Sequence, residues 1–298
     1  MENNLKTVKF ETSLGGTSNN NTLQPILTGI GSGKNLNTIQ LNSKNQIIEQ
    51  FKKEKEVEQE EKTINKYNIY QKFIAELMGT TMLLYHCCGA AVFHKDKLYV
   101  AVLSSSLSVL FLVYCFVNIS GAHFNPAVSL PLYLKGMITL KELIAYMIAQ
   151  LIGAFLGCCF IALSRKGRFE ELNATKIQDY LIKVNGGNKI DAWCYISCLF
   201  TEIFGTFMLD FFIFCTSKKE TKMGTSTGLA FAGVLTALIF TGSNISGSSF
   251  NPFRSLAPAA LQAASGGDTK PIEQIWIYFI GPFAGGVLSF FAWKIFDY

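Results

Sequence analysis

Two Asn-Pro pairs are the residues of this chain whose types and spacing first suggest a chemical role. Asn125-Pro126 and Asn251-Pro252 each follow a Gly-containing turn, in ISGAHFNPAV and ISGSSFNPFR. Asn is a preferred helix N-cap and Pro is favoured at the first helical position, so each pair indicates the start of a helix. Because the start of a helix carries a partial positive charge, the chemistry that these pairs offer is electrostatic.

An isolated Asn-Pro pair commonly marks only a turn, but these two pairs belong to an internal duplication. Ten residues recur 126 positions later in the chain. The first-half members are Glu76, Gly79, Thr80, Met82, Ile119, Ser120, Gly121, Phe124, Asn125 and Pro126. Their counterparts are Glu202, Gly205, Thr206, Met208, Ile245, Ser246, Gly247, Phe250, Asn251 and Pro252. Repetition at one fixed offset predicts a fold of two similar halves.

Long apolar segments are the elements that must position the two pairs. The chain is 49% hydrophobic and only 16% charged, against about 25% charged in an average soluble domain. Six segments reach the roughly 20 residues that a helix needs to cross a membrane: 73–94, 98–119, 143–164, 192–217, 223–250 and 274–293. The runs after the pairs, 127–134 and 253–261, are long enough only for half a crossing. We therefore predict an all-α membrane protein with six transmembrane helices and two half-helices.

The two halves must lie in the membrane in opposite orientations, because each contains three spans and three is an odd number. Inverted repeats place their sites near the midplane of the membrane, where interrupted helices meet. The two helix starts should therefore point their positive ends at each other near the bilayer centre. Non-helical backbone at that depth is tolerated only when protein or a water-filled cavity covers it. The sequence thus predicts a pore between the halves.

Several other classes of function are disfavoured by the composition. No nucleophile, base and orienting acid are grouped in the sequence, so we predict that the protein is not an enzyme and needs no cofactor. All eight cysteines lie in the apolar spans, which argues against disulfides and a metal site. The basic residues are interleaved with acidic ones, as in FKKEKEVEQEEK, so we expect no nucleic-acid partner.

These motifs resemble those of the aquaporin, or major intrinsic protein, family. The resemblance covers about residues 70–297 and includes SGAHFNPAV, an Arg after the second Asn-Pro pair and a Glu-x-x-Gly-Thr start in each half. It implies a channel of six helices and two half-helices in an inverted repeat, with membrane lipid around it. Such channels are typically homotetramers with one pore per subunit, and they pass water or small uncharged solutes.

The resemblance also implies roles for the residues of the two boxes, which are the Asn-Pro pairs with the residue that follows each, 125–127 and 251–253. Asn125 and Asn251 would donate amide hydrogens to a water oxygen at the central constriction, which Pro126, Pro252, Ala127 and Phe253 complete. Two donors and two positive helix ends would orient each water and interrupt the hydrogen-bonded chain that a proton needs. Glu76 and Glu202 would hold the loop backbone behind the pore as structural acids. Phe253 departs from the usual Ala, so either its neighbours are smaller or the pore is narrower.

Four further residues correspond to the selectivity filter of the family. Arg254 matches the selectivity arginine, and counting back from the boxes places Ser105, Ile239 and Ser248 at the other positions. An Arg at a helix centre costs about 2.5 to 3.5 kcal/mol on insertion, so it should face water or a partner. The ring is wider and less polar than in strict water channels. Because position 248 is Ser and not Cys, we expect no block by thiol reagents there.

Residues elsewhere in the second half resemble those of water-selective members. They are Ser255, Ala259, Tyr278 and Phe279. The balance favours a passive water channel that excludes protons and ions. A channel for a small neutral solute such as glycerol, urea or ammonia is the first alternative. An adhesive or scaffolding membrane protein with a closed pore is the second, and it is raised by Phe253.

The remaining predictions concern organisation. Residues 1–69 form a disordered or weakly helical cytosolic tail, and residues 70–298 form the channel domain. That domain contains repeat one (about 70–164), a linking loop (165–191) and repeat two (about 192–298). Six spans place both termini on one side, which we take as the cytosol, in the plasma membrane or an intracellular one. The tail or the 217–224 loop could gate the pore.

One acidic residue breaks the repeat. Asp210 stands where the first half has Leu84. We expect its side chain to face the pore or the next loop, or to reach the membrane interface as an aspartate at the end of its span.

Overall fold

The structure, a computed structural model, describes residue 49 and residues 66–95, 97–187, 189–216 and 226–296. The chain divides into two compact units, Met1–Ile64 and Asn65–Tyr298. Of the first unit only Glu49 is described, and it is helical. The 217–224 loop and most of the predicted tail lie outside the described residues.

Ten helices make up the described part of the second unit, in which there is no β-strand. In chain order they are α1 (Ile69–Phe93), α2 (Leu98–Ser120), α3 (Pro126–Leu134), α4 (Leu140–Leu163), α5 (Asp179–Val184), α6 (Ala192–Thr216), α7 (Thr227–Gly242), α8 (Pro252–Ala264), α9 (Lys270–Glu273) and α10 (Ile275–Phe296). Helices α2, α4, α6 and α10 are long and apolar enough to cross a membrane. Helix α7 is apolar but has only 16 residues, and α1 has 25 and includes Lys72 and Glu76. These six helices occupy the predicted spans, and α3 and α8 occupy the predicted half-helices.

The span predicted at 223–250 does not form one continuous helix. Helix α7 ends at Gly242, and residues 243–250 form turns and irregular backbone before the second Asn-Pro pair. Three residues of this loop, and the three that match them in the first half, have φ between 50° and 92°: Gly247, Ser248, Phe250, Gly121, Ala122 and Phe124. A right-handed helix cannot continue through such angles. Composition overestimated the helix because this loop carries no charged residue, so the uncharged run continues through it.

Polar side chains begin two of the long helices. Asn68 and Gln71 form a reciprocal capping box at the start of α1, and Thr139 and Glu142 form one at the start of α4. Each box satisfies N–H groups that have no partner within their helix. These contacts explain why α4 begins three residues before the uncharged run predicted from composition.

The helices pack as two equivalent sets that exchange their half-helices. Helix α1 packs on α2 and α4 in the first repeat, and α6 packs on α7 and α10 in the second. Half-helix α3, however, packs chiefly on α10, and half-helix α8 packs chiefly on α4. Each repeat therefore supports the half-helix of the other.

Glycines allow the closest helix contacts. A Cβ atom on Gly153 of α4 would lie 2.6 Å from the carbonyl oxygen of Leu77 in α1. A Cβ on Gly285 of α10 would meet the carbonyl oxygen of Ile203 in α6 in the same way. Small residues at such positions let helix backbones approach closely in lipid. The matched glycines thus give both repeats the same packing.

Candidate functional site

Two buried glutamates hold the loops that precede the half-helices. The Glu76 carboxylate accepts hydrogen bonds from the backbone N–H groups of His123 and Phe124, at 3.0 and 2.7 Å. The Glu202 carboxylate accepts hydrogen bonds of the same two lengths from residues 249–250. Both glutamates have no solvent exposure. They therefore act as acceptors for loop N–H groups that would otherwise be buried without a partner.

Each asparagine of the two pairs caps its own half-helix. Asn125 Oδ1 accepts a hydrogen bond from the Ala127 N–H at 2.9 Å. Asn251 Oδ1 accepts hydrogen bonds from the N–H groups of Phe253 and Arg254, at 3.1 and 3.2 Å. The oxygen of each carboxamide is thus turned towards its own helix, which leaves the amide nitrogen facing away from it.

The two asparagines also bridge the repeats. Asn125 Nδ2 donates to the carbonyl oxygen of Phe250 at 2.7 Å, and Asn251 Nδ2 donates to that of Phe124 at 2.9 Å. These reciprocal bonds bring the starts of α3 and α8 together. A carboxamide nitrogen carries two hydrogens, so each asparagine retains a second N–H.

A cavity of about 370 Å³ lies in front of the two asparagines. Its wall includes Asn125, Asn251 and all four residues of the predicted selectivity filter: Ser105, Ile239, Ser248 and Arg254. At one end the wall consists of the exposed residues His94, Lys95 and Lys97, so the cavity opens to the surface there. The structure therefore brings the predicted filter and the asparagines into one continuous space.

Arg254 is held by the loop between the repeats. Its guanidinium is part of a side chain that is only 9% exposed, and Nη1 donates to the carbonyl oxygen of Asn173 at 3.1 Å. A guanidinium has five N–H donors in a fixed plane, so this single bond orients the group without using all of its donors. Arg254 is itself one of the residues that line the cavity.

The other members of the two boxes lie behind the cavity. Pro126, Ala127, Pro252 and Phe253 are not among the residues that line it. Phe253 packs against the cluster formed by α1 and α4 residues such as Leu84, and its ring lies 6.4 Å from that of Phe279. The ring of Phe253 thus points into the helix packing and not into the cavity.

Asp210 faces neither the cavity nor the membrane interface, which were two of the places expected for it. Its side chain is 2% exposed and does not line the cavity. A Cβ on Gly286 of α10 would lie 2.8 Å from Asp210 Oδ2 and 2.6 Å from the carbonyl oxygen of Ala127. Within the described residues neither carboxylate oxygen has a hydrogen-bond partner. The glycine makes room for this acid between α6, α10 and α3, so the side chain is directed into the packing.

Ion pairs connect the loops near the open end of the cavity. Lys95 Nζ lies 2.5 Å from Glu171 Oε2, and Arg165 Nη2 lies 3.1 Å from the same oxygen. The hydrogen bond from Lys95 lowers the pKa of Glu171 below its ordinary value. These contacts join the loop after α1 to the loop after α4. In the described ranges, no three His, Cys, Asp or Glu side chains are grouped so that they could hold a metal ion.

Two residues of the site were not predicted from the sequence. The carbonyl of Asn173 fixes Arg254, and the side chain of Cys87 lines the cavity. A backbone carbonyl has no signature in the sequence. Cys87 lies in an apolar run, and periodicity alone does not say which face of α1 meets the pore.

Comparisons with known proteins identify the family and the fold. A family model described as Major intrinsic protein matches residues 63–293. Aquaporin NIP1-1 of Zea mays is 32% identical over 230 residues, which cover 76% of this chain and 74% of that protein. Glycerol uptake facilitator protein-like 6 of Lactiplantibacillus plantarum is 28% identical over 228 residues, which cover 76% of this chain and 97% of that protein.

A solved structure shares the fold. The X-ray structure of the aquaglyceroporin from Plasmodium falciparum matches with a TM-score of 0.64 and 23% identity, over 77% of this chain and 98% of that one. The prediction of an aquaporin-like, all-α membrane fold is therefore confirmed. The protein is an integral multi-pass membrane protein of a family of channels, which are not enzymes. On the match over residues 63–293, the chain belongs to the major intrinsic protein family.

Proposed function

We propose that this protein is a passive water channel that excludes protons and ions and conducts through the cavity between its two repeats. The observation that carries the proposal is the pair of reciprocal bonds from Asn125 and Asn251 to the carbonyls of Phe250 and Phe124. Each bond uses one amide hydrogen and fixes the direction of the other. Both asparagines also line the cavity, so two oriented donors meet a molecule at its centre.

Proton exclusion follows from the electrostatics of this centre. Two N–H donors bind the oxygen of a passing water, and the positive ends of α3 and α8 favour the same orientation. The hydrogens of that water then point outward in both directions. A water held in this way accepts no further hydrogen bond, so the chain along which a proton would hop is interrupted.

Arg254 supports the exclusion of cations. Its guanidinium is always charged, and it is fixed at the cavity wall by the bond to the Asn173 carbonyl. A cation that enters the cavity therefore meets a fixed positive charge in a space of low polarisability, where charge repulsion is strong. An uncharged solute does not incur this penalty and can accept hydrogen bonds from the guanidinium.

A channel for small neutral solutes is the second candidate, and the filter composition favours it. Ser105, Ile239 and Ser248 line the cavity together with Arg254, and none of the four is aromatic. The similar proteins include glycerol uptake facilitator protein-like 6 and the aquaglyceroporin from Plasmodium falciparum. An aliphatic side chain opposite an arginine suits a solute that has both carbon and hydroxyl groups. Under this proposal such a solute passes along with water.

The organisation of the chain belongs to the same proposal. Residues 70–298 form the channel domain and residues 1–69 form a cytosolic tail, so both termini lie in the cytosol. Four copies assemble into a homotetramer in which each copy contains its own pore, as is usual for the family. The tail or the 217–224 loop regulates the cytosolic mouth. Closure of the pore in an adhesive or scaffolding protein is the competing view.

Flow measurements on reconstituted protein test the function. Proteoliposomes are mixed with an impermeant osmolyte, and their shrinkage is followed by stopped-flow light scattering against empty liposomes. Faster shrinkage without dissipation of an imposed pH gradient is the expected result. Reswelling in glycerol or urea gradients reports solute entry. Shrinkage at the rate of empty liposomes would contradict a channel, and collapse of the pH gradient would contradict proton exclusion.

A matched pair of substitutions links the flow to the cavity. Ile239 lines the cavity, whereas the next residue, Phe240, is 48% exposed on the outer surface of the same helix. Ile239→Trp should fill the space beside Arg254 and reduce water flow towards that of empty liposomes. Phe240→Trp should leave it unchanged. Equal flow through both variants would show that water does not pass through this cavity.

A further inference from the structure

Helix α1 contributes a row of side chains to the cavity that lies outside the four-residue filter. Leu83, Cys87 and Ala91 line the cavity and are spaced four residues apart. That spacing places them on one face of a helix. Helix α1 therefore forms part of the pore wall, and Cys87 is the one member of this row with a polar atom.

Cys87 shares the cavity with the charged member of the filter. Its side chain is 8% exposed, and it lines the wall together with Arg254 and Ser105. Arg254 is itself only 9% exposed, and its hydrogen bond to Asn173 uses one of five donors. A molecule that contacts the arginine in this cavity is therefore in a space that the Cys87 side chain also borders.

The other cysteines differ from Cys87 in their surroundings. None of the other seven lines the cavity. Cys88, Cys158, Cys194 and Cys198 are fully buried in helix packing, Cys159 is partly buried, and Cys115 and Cys215 are exposed on the outside of the helices. Among eight cysteines that are all described, the pore can present only this one to a solute.

We propose that Cys87 is a fifth member of the selectivity ring and that it helps to set which solutes pass Arg254. This inference rests on the proposed channel function. A thiol is small and donates only weakly, so it leaves the space beside the arginine open and nearly apolar. A larger side chain at position 87 should exclude a solute such as glycerol before it excludes water.

A small neutral thiol reagent tests this position directly. The Cys87 sulfur attacks the sulfenyl sulfur of methyl methanethiosulfonate, which forms a Cys–S–S–CH3 disulfide and releases methanesulfinate, while the thiol proton goes to water. The added thiomethyl group lies in the ring, so water flow through treated proteoliposomes should fall, and dithiothreitol should restore it. Glycerol entry, where present, should be lost first.

Matched variants assign the effect. Cys87→Ser should conduct water and resist the reagent, whereas Cys88→Ser and Cys115→Ser should remain sensitive. Cys87→Leu should reduce glycerol entry more than water flow without any reagent. Inhibition that persists in Cys87→Ser would overturn the proposal. So would full flow through a channel in which peptide mass spectrometry finds Cys87 modified, since the residue would then not border the narrow part of the pore.

The proposal and the channel function fail in different ways. Untreated vesicles that do not conduct would contradict the channel function. Mass spectrometry would still compare the modification of Cys87 with that of Cys88 in the folded protein. Absence of modification at Cys87 would show that the cavity does not reach the thiol and would overturn its place in the ring, whatever the flow.

Discussion

At the scale of single residues, the site depends on hydrogen-bond acceptors that lie next to the backbone N–H groups left without partners where two helices are interrupted. Glu76 and Glu202 are the first residues of the duplication, and they make the same backbone bonds in both repeats. Their carboxylates accept hydrogen bonds from these N–H groups and from the hydroxyls of Ser120 and Ser246. This arrangement fits a structural part in holding the loops.

Replacing Glu202 should therefore lower stability by an amount that depends on the acceptors left behind. Glu202→Leu leaves the N–H groups of Ser249 and Phe250 buried without partners, and each costs about 1 to 3 kcal/mol. Glu202→Gln keeps one acceptor oxygen and should cost less. The free energy of unfolding in detergent checks the order. Equal losses in both variants would show that packing, and not the loop bonds, sets the cost.

The residues that sequence could predict are those with a local signature. An Asn-Pro pair indicates the start of a helix, and an acidic residue in an apolar run needs a hydrogen-bond partner. The two asparagines and the two glutamates could therefore be identified from the sequence. The direction of Phe253 and the exposure of Cys87 depend on how α8 and α1 are rotated against their neighbours. That rotation is decided by packing between distant positions, which here places Cys87 and Arg254 at one cavity, and no spacing within one helix encodes it.

At the scale of elements, the loops are as important as the helices. The loops before α3 and α8 carry matched left-handed residues, and the loop after α4 supplies the carbonyl that holds Arg254. Composition placed the long helices but missed the start of α4 by three residues, because the capping box at Thr139 extends that helix beyond the uncharged run. It failed at 243–250, because a loop without charged residues cannot be told from a span by the absence of charge.

The ion pairs around Glu171 predict a pH dependence in the loops near the open end. The pKa of Glu171 is lowered by Lys95, so the pair stabilises the folded loops above the ordinary pKa of 4.5 and is lost as the pH falls through the lower folded value. Exposed pairs contribute only about 0.2 to 1 kcal/mol. The protection of the amides in residues 165–178, measured as their exchange relative to the intrinsic rate at each pH, should therefore fall at acidic pH.

Glu171→Gln is the control for that prediction. This variant cannot titrate at position 171, so the protection of its loop amides should be lower at neutral pH and change little on acidification. Asp179→Asn offers a comparison at an acid that begins the next helix and makes no ion pair within the described residues. An identical acid response in wild type and Glu171→Gln would contradict the assigned role of the pair.

At the scale of the whole molecule, the predicted tail offers a test of regulation. Helix α1 begins with its own capping box at Asn68, so deletion of residues 1–66 leaves the start of the channel domain intact. If the tail closes the cytosolic mouth, the deletion should raise water flow per protein in proteoliposomes. Unchanged flow at equal protein density would contradict tail gating. A thermal melt equal to that of the full chain shows that the truncated protein is folded.

The exchange of half-helices between the repeats has a consequence for biosynthesis. Residues 126–134 leave the ribosome long before α10, on which they pack, and they are too short to cross the bilayer by themselves. In the first half, this segment therefore lacks its main packing partner until the last helix has been synthesised. Nascent chains halted before residue 275 should expose α3 to proteases or chaperones, whereas the finished chain conceals it.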